Sequence, residues 1–309
     1  SMYHESNVES VLEKNIHADI NDDGTLIKAM LDSEPDIVIH MAAQSLVRES
    51  YIEPVKTYKT NVMGTVSLFE AIRKTPSVKA VLNISSDKCY ENKEWVWGYR
   101  ENDAMGGHDP YSSSKGCAEL VSSAYRRSFM QNEGIALATA RAGNVIGGGD
   151  WAEDRIVPDA IRAFICNKPL IVRNPMAIRP WQHVLEPLCG YLSLCQQLIN
   201  RPDDFARGWT VGPNSDVAQS VSYLADCRVK SWGDHASWQL DEQDHPHEAS
   251  YLKLDCSRAN TDLKWRPVWD IDNALSKTVS WYRQWNDKKD MYRFTVNQIE
   301  EYQQAQLVR

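Results

Sequence analysis

The chain has no long apolar run and no excess of basic residues. None of its 309 residues lies in a stretch that approaches the roughly 18 consecutive apolar side chains of a membrane span. The formal net charge of −8 argues against nucleic-acid binding, which requires a basic surface. The first residues are polar and acidic, unlike the apolar core of a secretory signal. We therefore predict a soluble protein that binds neither membranes nor nucleic acid.

Disulfide and metal-binding patterns are also absent. The seven cysteines are an odd, scattered set without a CxxC spacing, which predicts reduced thiols in a cytoplasmic protein. His245 and His247 flank a proline without a cluster of further ligands, so we predict no metal site.

Short apolar runs alternate with helical patterns along the chain. The apolar runs predict buried strands of a parallel sheet, and the helical periodicity predicts helices between them. We expect strands at 36–40, 80–84, 135–140, 170–173, 209–212 and 251–255, and helices at 25–33, 55–74, 156–165, 184–198, 221–232 and 271–285. The charged tail after Lys288 is expected to be peripheral. This alternation is typical of an α/β fold.

Polar side chains follow the strand predicted at 80–84. Ser86 lies at its carboxyl end, where ligands bind in open α/β sheets. Tyr111 and Lys115 begin a later helical pattern and share one helix face. A phenol, an ammonium and a hydroxyl together suit removal of a proton from an alcohol. The alternative is a tyrosine at a helix start with a solvated lysine one turn later.

The energetics of this arrangement are reasonable. A cation about 4 Å from the phenol supplies about 4 kcal/mol at an effective dielectric near 20. That amount would bring the pKa of Tyr111 from about 10 to near 7.

Specific segments extend over nearly the whole chain: His40–Gln44, Thr60–Thr65, Ser86–Tyr90, Trp95–Glu101, Tyr111–Lys115, Arg141–Trp151 and Arg179–Val184. On these segments the chain resembles the nucleotide-sugar 4,6-dehydratases of the extended short-chain dehydrogenase/reductase family. The Asp87-Lys88 pair and the Trp95–Glu101 segment are its most specific markers, and they favour CDP-glucose as the substrate.

The resemblance implies a doubly wound, Rossmann-like parallel sheet with NAD as cofactor. It implies a dinucleotide-binding domain over residues 1–150 and a smaller, interleaved substrate lobe over 151–309, in a cytoplasmic homodimer. The cofactor-binding residues that it implies are Asp19, Ile20, Ala42, Ala43, Gln44, Thr60, Tyr111 and Lys115. The substrate-binding residues that it implies are Asn144, Arg155, Arg173 and Arg179.

The resemblance also implies catalytic roles. Tyr111 would be the base at C4, assisted by Lys115 and Ser86, and Asp87 would protonate the C6 hydroxyl. Lys88 would take the C5 proton or only position the sugar. Both roles stay open because an adjacent carboxylate favours the charged amine.

One family feature is missing from the sequence. No strand, Gly-rich turn and helix unit of the kind that holds a pyrophosphate is found near the start. Gly147–Gly149 is not a phosphate loop, because no Gly-Lys-Ser/Thr follows it. We therefore predict that the first βαβ unit is absent and that the chain alone binds NAD weakly. A nucleotide-sugar 4-epimerase and a folded but inactive fragment are the alternatives.

Overall fold

The computed structural model describes residues 2–213, 218–233, 236–243, 245 and 248–308. The helices are α1 (Met2–Glu5), α2 (Asp23–Ser33), α3 (Val47–Ile52), α4 (Pro54–Tyr58), α5 (Gly64–Arg73), α6 (Pro110–Tyr125), α7 (Ile156–Ile165), α8 (Leu185–Asn200), α9 (Pro202–Phe205), α10 (Val221–Trp232), α11 (Ile271–Asn286) and α12 (Met291–Leu307). The strands are β1 (Ile37–His40), β2 (Ala80–Ile84), β3 (Ala136–Ala142), β4 (Val145–Ile146), β5 (Leu170–Val172), β6 (Ile178–Arg179), β7 (Gln182–His183), β8 (Gly208–Val211), β9 (Gln219–Ser220) and β10 (Trp238–Leu240). None of the described helices combines the length and apolar composition that a bilayer span requires.

A parallel sheet forms the centre of the fold. Its strand order is β1-β2-β3-β8, and every neighbouring pair is parallel. Both neighbours of β2 keep a residue-by-residue register, with Leu82 opposite Ile39 on one side and Ala138 on the other. The predicted α/β fold is confirmed, whereas the absence of a first βαβ unit stays a prediction.

Helices cover both faces of the sheet. Because successive side chains of a strand point to opposite faces, Val81 packs into one apolar cluster and Leu82 into another. The first cluster contains Phe69 from α5, and the second contains Leu194 from α8. The sheet is therefore doubly wound, and its strand ends face the site described below.

A further apolar cluster includes residues from β4, α7, α10, α11 and α12, among them Ile161, Leu224 and Trp281. The division of the chain at residue 150 stays a prediction.

Two local predictions are wrong. Residues 251–255 form no strand but make isolated bridges, Tyr251 with Ile178 and Leu254 with Tyr99. The tail is not peripheral, because α12 buries Met291 and Tyr302, and the Tyr302 hydroxyl donates to Glu186 Oε2 at 2.6 Å. The few buried positions of α12 are far apart in the sequence, and the polar residues between them make its apolar face hard to recognise from the sequence.

The predicted helix over 55–74 is divided into α4 and α5 by a π-helical segment, Lys59–Met63.

Candidate active site

A cavity of about 740 Å³ opens at the carboxyl ends of β2 and β3. Its volume is in the range of small-molecule sites. Five of the predicted side chains line it on the sheet side: Ser86, Asp87, Lys88, Tyr111 and Asn144. The two segments that the sequence analysis singled out around residues 86 and 111 therefore meet at one cavity.

A short 3₁₀ turn after β2 presents the Ser86-Asp87-Lys88 group. The Ser86 hydroxyl donates to Asp87 Oδ1 at 3.0 Å and accepts from the Lys88 N–H at 3.2 Å. Asp87 is 3% exposed, and its Oδ2 has no partner among the described residues. Burial raises the pKa of Asp87, although Lys88 and Ser86 oppose the shift. Burial thus shifts Asp87 toward its protonated form, in which a carboxyl group that lines the cavity is a proton donor.

The start of α6 places Tyr111. Asp109 caps the helix by accepting from the Ser112 N–H at 2.9 Å, and Pro110 occupies the first turn. Tyr111 is therefore held in the first turn, where it is buried at the cavity wall. Burial raises the pKa of Tyr111 to about 12, and Ser86 is the strongest opposing neighbour, followed among opposing groups by Arg155.

Lys115 lies one turn beyond Tyr111, but its ammonium is directed at the sheet. Its Nζ donates to the Ile84 carbonyl oxygen at 3.3 Å. Burial lowers the pKa of Lys115 to about 8, and Glu119 opposes the shift. The expected pKa near 7 for Tyr111 is therefore wrong for the described chain, because burial of the phenolate outweighs the groups that stabilise it.

Glu119 was not among the predicted site residues. It is fully buried and forms a two-pronged ion pair with Arg141, Nε to Oε1 at 2.9 Å and Nη2 to Oε2 at 2.8 Å. Thr139 donates to Oε2 at 2.8 Å, and the Ser85 hydroxyl donates to Oε1. Burial alone would raise the pKa of Glu119, but Arg141 and these hydroxyls lower it. The pair ties α6 to the ends of β2 and β3.

Arg155 and Arg173 line the cavity, and both are already paired with carboxylates. Arg155 Nη1 lies 3.1 Å from Asp150 Oδ2, and Arg173 Nη1 lies 2.8 Å from Asp154 Oδ1. Arg48, from α3, contacts the same Asp154 oxygen at 2.9 Å. These arginines are half-buried. They make this part of the cavity wall positively charged, and the carboxylates of Asp150 and Asp154 lie within it.

Arg179 and Asn144 also line the cavity. Arg179 is 4% exposed, and it donates to the carbonyl oxygens of Ile178, at 3.0 Å, and Ala249. The Oδ1 atom of Asn144 is buried without a partner among the described residues. Asn144 therefore has an acceptor free for a ligand hydroxyl, whereas part of the Arg179 guanidinium is engaged by the main chain.

The residues predicted for cofactor binding lie mostly outside this cavity. Tyr111 lines the cavity. The other predicted cofactor-binding residues are not among the described residues that line it: Asp19, Ile20, Ala42, Ala43, Gln44, Thr60 and Lys115. The main chain of Gln44 is fixed by Asn61, which accepts from the Gln44 N–H at 2.8 Å and donates to its carbonyl at 2.9 Å. Asn61 therefore faces inward and bridges to the backbone after β1. The backbone after β1 is thus held in one conformation.

Two histidines have side-chain partners. His40 is a buried core residue, with Nε2 3.3 Å from the Thr65 hydroxyl. In the segment predicted not to bind metal, His245 contacts Asp241 at 2.9 Å, while His247 lies outside the described residues.

Comparison with protein families decides the relationship. Residues 3–278 match the GDP-mannose 4,6 dehydratase family. The chain belongs to this family. Over 310 residues it is 51% identical to the CDP-glucose 4,6-dehydratase of Salmonella typhimurium, covering 99% of this chain and 86% of that protein. It is 25% identical over 308 residues to the dTDP-glucose 4,6-dehydratase of the same organism, covering 91% and 83% of the two chains.

Solved structures share the fold of this family member. A UDP-glucuronic acid 4-epimerase from Bacillus cereus, in complex with UDP-glucuronic acid and NAD, superposes with a TM-score of 0.78 at 21% identity, covering 90% and 85% of the two chains. A dTDP-glucose 4,6-dehydratase from Bacillus anthracis, in complex with NAD, gives a TM-score of 0.74 at 18% identity, covering 92% and 85%. These likenesses confirm the Rossmann-like fold.

Proposed function

We propose that this chain converts CDP-glucose to CDP-4-keto-6-deoxyglucose in an NAD-dependent dehydration. The observation that carries the proposal is the buried Asp87 carboxyl beside Tyr111 in one cavity. A 4-epimerase needs a base at C4 but no separate acid for a leaving hydroxyl. The 51% identity to a CDP-glucose 4,6-dehydratase supports the same substrate.

The hydrogen-bond donors beside the strand ends fit NAD. The Lys115 ammonium makes a single hydrogen bond within the described chain, so it keeps N–H groups for ribose hydroxyls. We assign NAD binding to Lys115, Tyr111, Thr60 and the fixed backbone at Ala42, Ala43 and Gln44, with Asp19 and Ile20 toward the adenine. The chemistry that bound NAD would supply is hydride transfer, from C4 to the cofactor and back to C6.

Tyr111 is the proposed base at C4. It must ionise before it can take the C4 hydroxyl proton, and burial opposes this. The Ser86 hydroxyl and the Arg155 guanidinium both lower the pKa of Tyr111, so these groups stabilise the phenolate. The single Ser86 hydroxyl proton, which is donated to Asp87 Oδ1 in the structure, would turn to the oxygen that is oxidised when the sugar binds.

Asp87 is the proposed acid for loss of water. The C4 ketone acidifies the C5 proton, and Lys88 takes this proton or only positions the sugar. Asp87 gives its proton to the C6 oxygen, the C6–O bond breaks, and the electrons of the C5–H bond form the C5–C6 double bond. Burial of Asp87 favours the neutral, proton-bearing form that this step needs.

The substrate contacts follow from the placement of the polar groups. Arg155 and Arg173 at the cavity wall bind the diphosphate, since guanidinium groups match phosphate oxygens. Asn144 accepts from a sugar hydroxyl through its free Oδ1. Arg179 adds positive charge beside Asp87.

Mass spectrometry of the reaction tests the function directly. The purified chain is incubated with NAD and CDP-glucose, and the proposal requires a product lighter by one water. A product of unchanged mass would identify a 4-epimerase. An absence of product together with no calorimetric binding of NAD would identify the inactive fragment.

Asp87→Asn separates oxidation from water loss. The amide cannot protonate the C6 oxygen, so we expect elimination to slow by about 10²- to 10⁴-fold while oxidation at C4 continues. NADH absorbance should then rise in the variant and stay low in the parent chain. An inactive variant without this absorbance would contradict the assigned role of Asp87.

We also propose a homodimer in the cytoplasm. The helices α3, α4 and α6 and the π-helical segment expose large apolar side chains, with Ile52 72%, Val55 78%, Met63 52% and Leu120 60% exposed. Exposed apolar surface of this kind marks protein interfaces. Light scattering tests the dimer, and a mass of one chain at micromolar concentration would overturn it. The seven free thiols support the cytoplasm, which cell fractionation can test.

A further inference from the structure

Tyr191 lies on the face of α8 that lines the cavity. Val184, Pro187, Leu188 and Tyr191 recur at helical spacing and all border the cavity. Tyr191 is 4% exposed, and its ring packs in the core cluster that includes Leu194. An aromatic residue of this kind has the sequence pattern of core packing, so sequence analysis did not select it.

The hydroxyl of Tyr191 has no hydrogen-bond partner in the part of the chain that the structure describes. Its described electrostatic neighbours are Asp87 and Tyr111. Burial, followed by these two groups, raises the pKa of Tyr191 above its ordinary value, so the phenol remains a proton-bearing donor at neutral pH. Buried hydroxyls are normally satisfied, and here the open side is the cavity.

The cavity that Tyr191 shares with Asp87 and Tyr111 indicates the ligand atom. Under the proposed function, on which this inference rests, Tyr111 faces the C4 oxygen and Asp87 faces the C6 oxygen. No hydrogen bond joins Tyr191 directly to either group within the described chain, so its hydroxyl proton is available to a ligand oxygen in this cavity. The C6 hydroxyl has two lone pairs, and it can accept from Tyr191 and Asp87 at once.

We propose that the Tyr191 hydroxyl donates a hydrogen bond to the C6 oxygen of the sugar and thereby makes the site specific for a hexose with a free C6 hydroxyl. The bond orients the leaving oxygen toward Asp87. Tyr191 keeps its proton throughout, so Asp87 alone supplies the proton that leaves with the water.

Tyr191→Phe, compared with Tyr125→Phe, tests the proposal. Tyr125 lies on α6, where its hydroxyl bonds Glu70 at 3.0 Å away from the cavity lining. Affinities for CDP-glucose and for CDP-xylose, whose sugar lacks the C6 hydroxymethyl group, are measured by calorimetry without NAD, so that CDP-glucose is not converted during the titration. We expect Tyr191→Phe to weaken CDP-glucose binding about tenfold, as loss of one hydrogen bond does, and to change CDP-xylose binding less than about twofold. Tyr125→Phe should change neither.

Each other outcome decides against the proposal. Equal losses for both nucleotides would mean that Tyr191 contacts another atom, and no loss would mean that it only packs. A Tyr191→Phe chain that fails to fold would show that the hydroxyl is bonded within the protein. A parent chain that binds neither nucleotide and forms no dehydrated product would overturn the proposed function itself, and the inference with it.

Discussion

Tyr111→Phe should reduce turnover of CDP-glucose by about 10²- to 10⁴-fold, the usual contribution of a general base. The substitution removes one oxygen and keeps the ring that fills the cavity wall. No hydride can leave C4 until its hydroxyl proton has been removed, so the loss affects the first step. NADH absorbance should therefore not appear, in contrast to the result expected for Asp87→Asn.

The measurement is single-turnover kinetics at saturating NAD, together with the melting temperature. Tyr125→Phe is the matched control, because it removes a hydroxyl from the same helix. We expect the melting temperature of Tyr111→Phe to stay close to that of the parent. Retained turnover within about tenfold, or 1.4 kcal/mol, would exclude Tyr111 as the base.

Glu119→Gln should destabilise the fold by about 3 to 5 kcal/mol, because it leaves the buried Arg141 guanidinium without its counter-charge. At about 2 to 4 °C per kcal/mol, the melting temperature should fall by roughly 10 °C. The matched control is Glu133→Gln. Its carboxylate pairs with Arg73 at 2.9 Å, but the two side chains are 34% and 27% exposed. Such a partly solvated pair should contribute about 1 kcal/mol or less.

The same substitution should move the pH dependence of turnover. Glu119 raises the pKa of Lys115 against the larger, lowering effect of burial. Without that carboxylate, Lys115 loses its proton at a lower pH, so the basic limb of the rate profile should shift to lower pH. An unchanged profile in a folded variant would mean that the charge of Lys115 does not matter for turnover. An unchanged melting temperature would contradict the structural role of Glu119.

Local signals made much of the site predictable. The apolar run at 80–84 specifies a buried strand, and the four-residue spacing of Tyr111 and Lys115 indicates one helix face, so Ser86 and Tyr111 were found from sequence. Glu119 was also within reach, because it continues the four-residue spacing of Tyr111 and Lys115. That spacing indicates a shared helix face, although it does not reveal that Arg141 is the ion-pair partner of Glu119.

Other features depend on contacts between distant parts of the chain. Tyr191 lines the same cavity as Asp87 only because α8 packs against β2 and β3, and nothing near Tyr191 in the sequence specifies that packing. The raised pKa of Tyr111 reflects how deeply the phenol is buried, which helical spacing cannot give. The docking of α12 depends on Glu186, more than 100 residues earlier, accepting from Tyr302.

Asp154 holds Arg173, one of the two guanidinium groups to which we assign the diphosphate. It contacts Arg173 and Arg48 at 2.8 and 2.9 Å. On this assignment an arriving diphosphate replaces an existing anion at Arg173, and the free energy of its binding is reduced by the bonds that it displaces. The same carboxylate recombines with the arginines as the product departs. The cavity thus exchanges one anion for another at both ends of the cycle, which favours release of the nucleotide product over its retention.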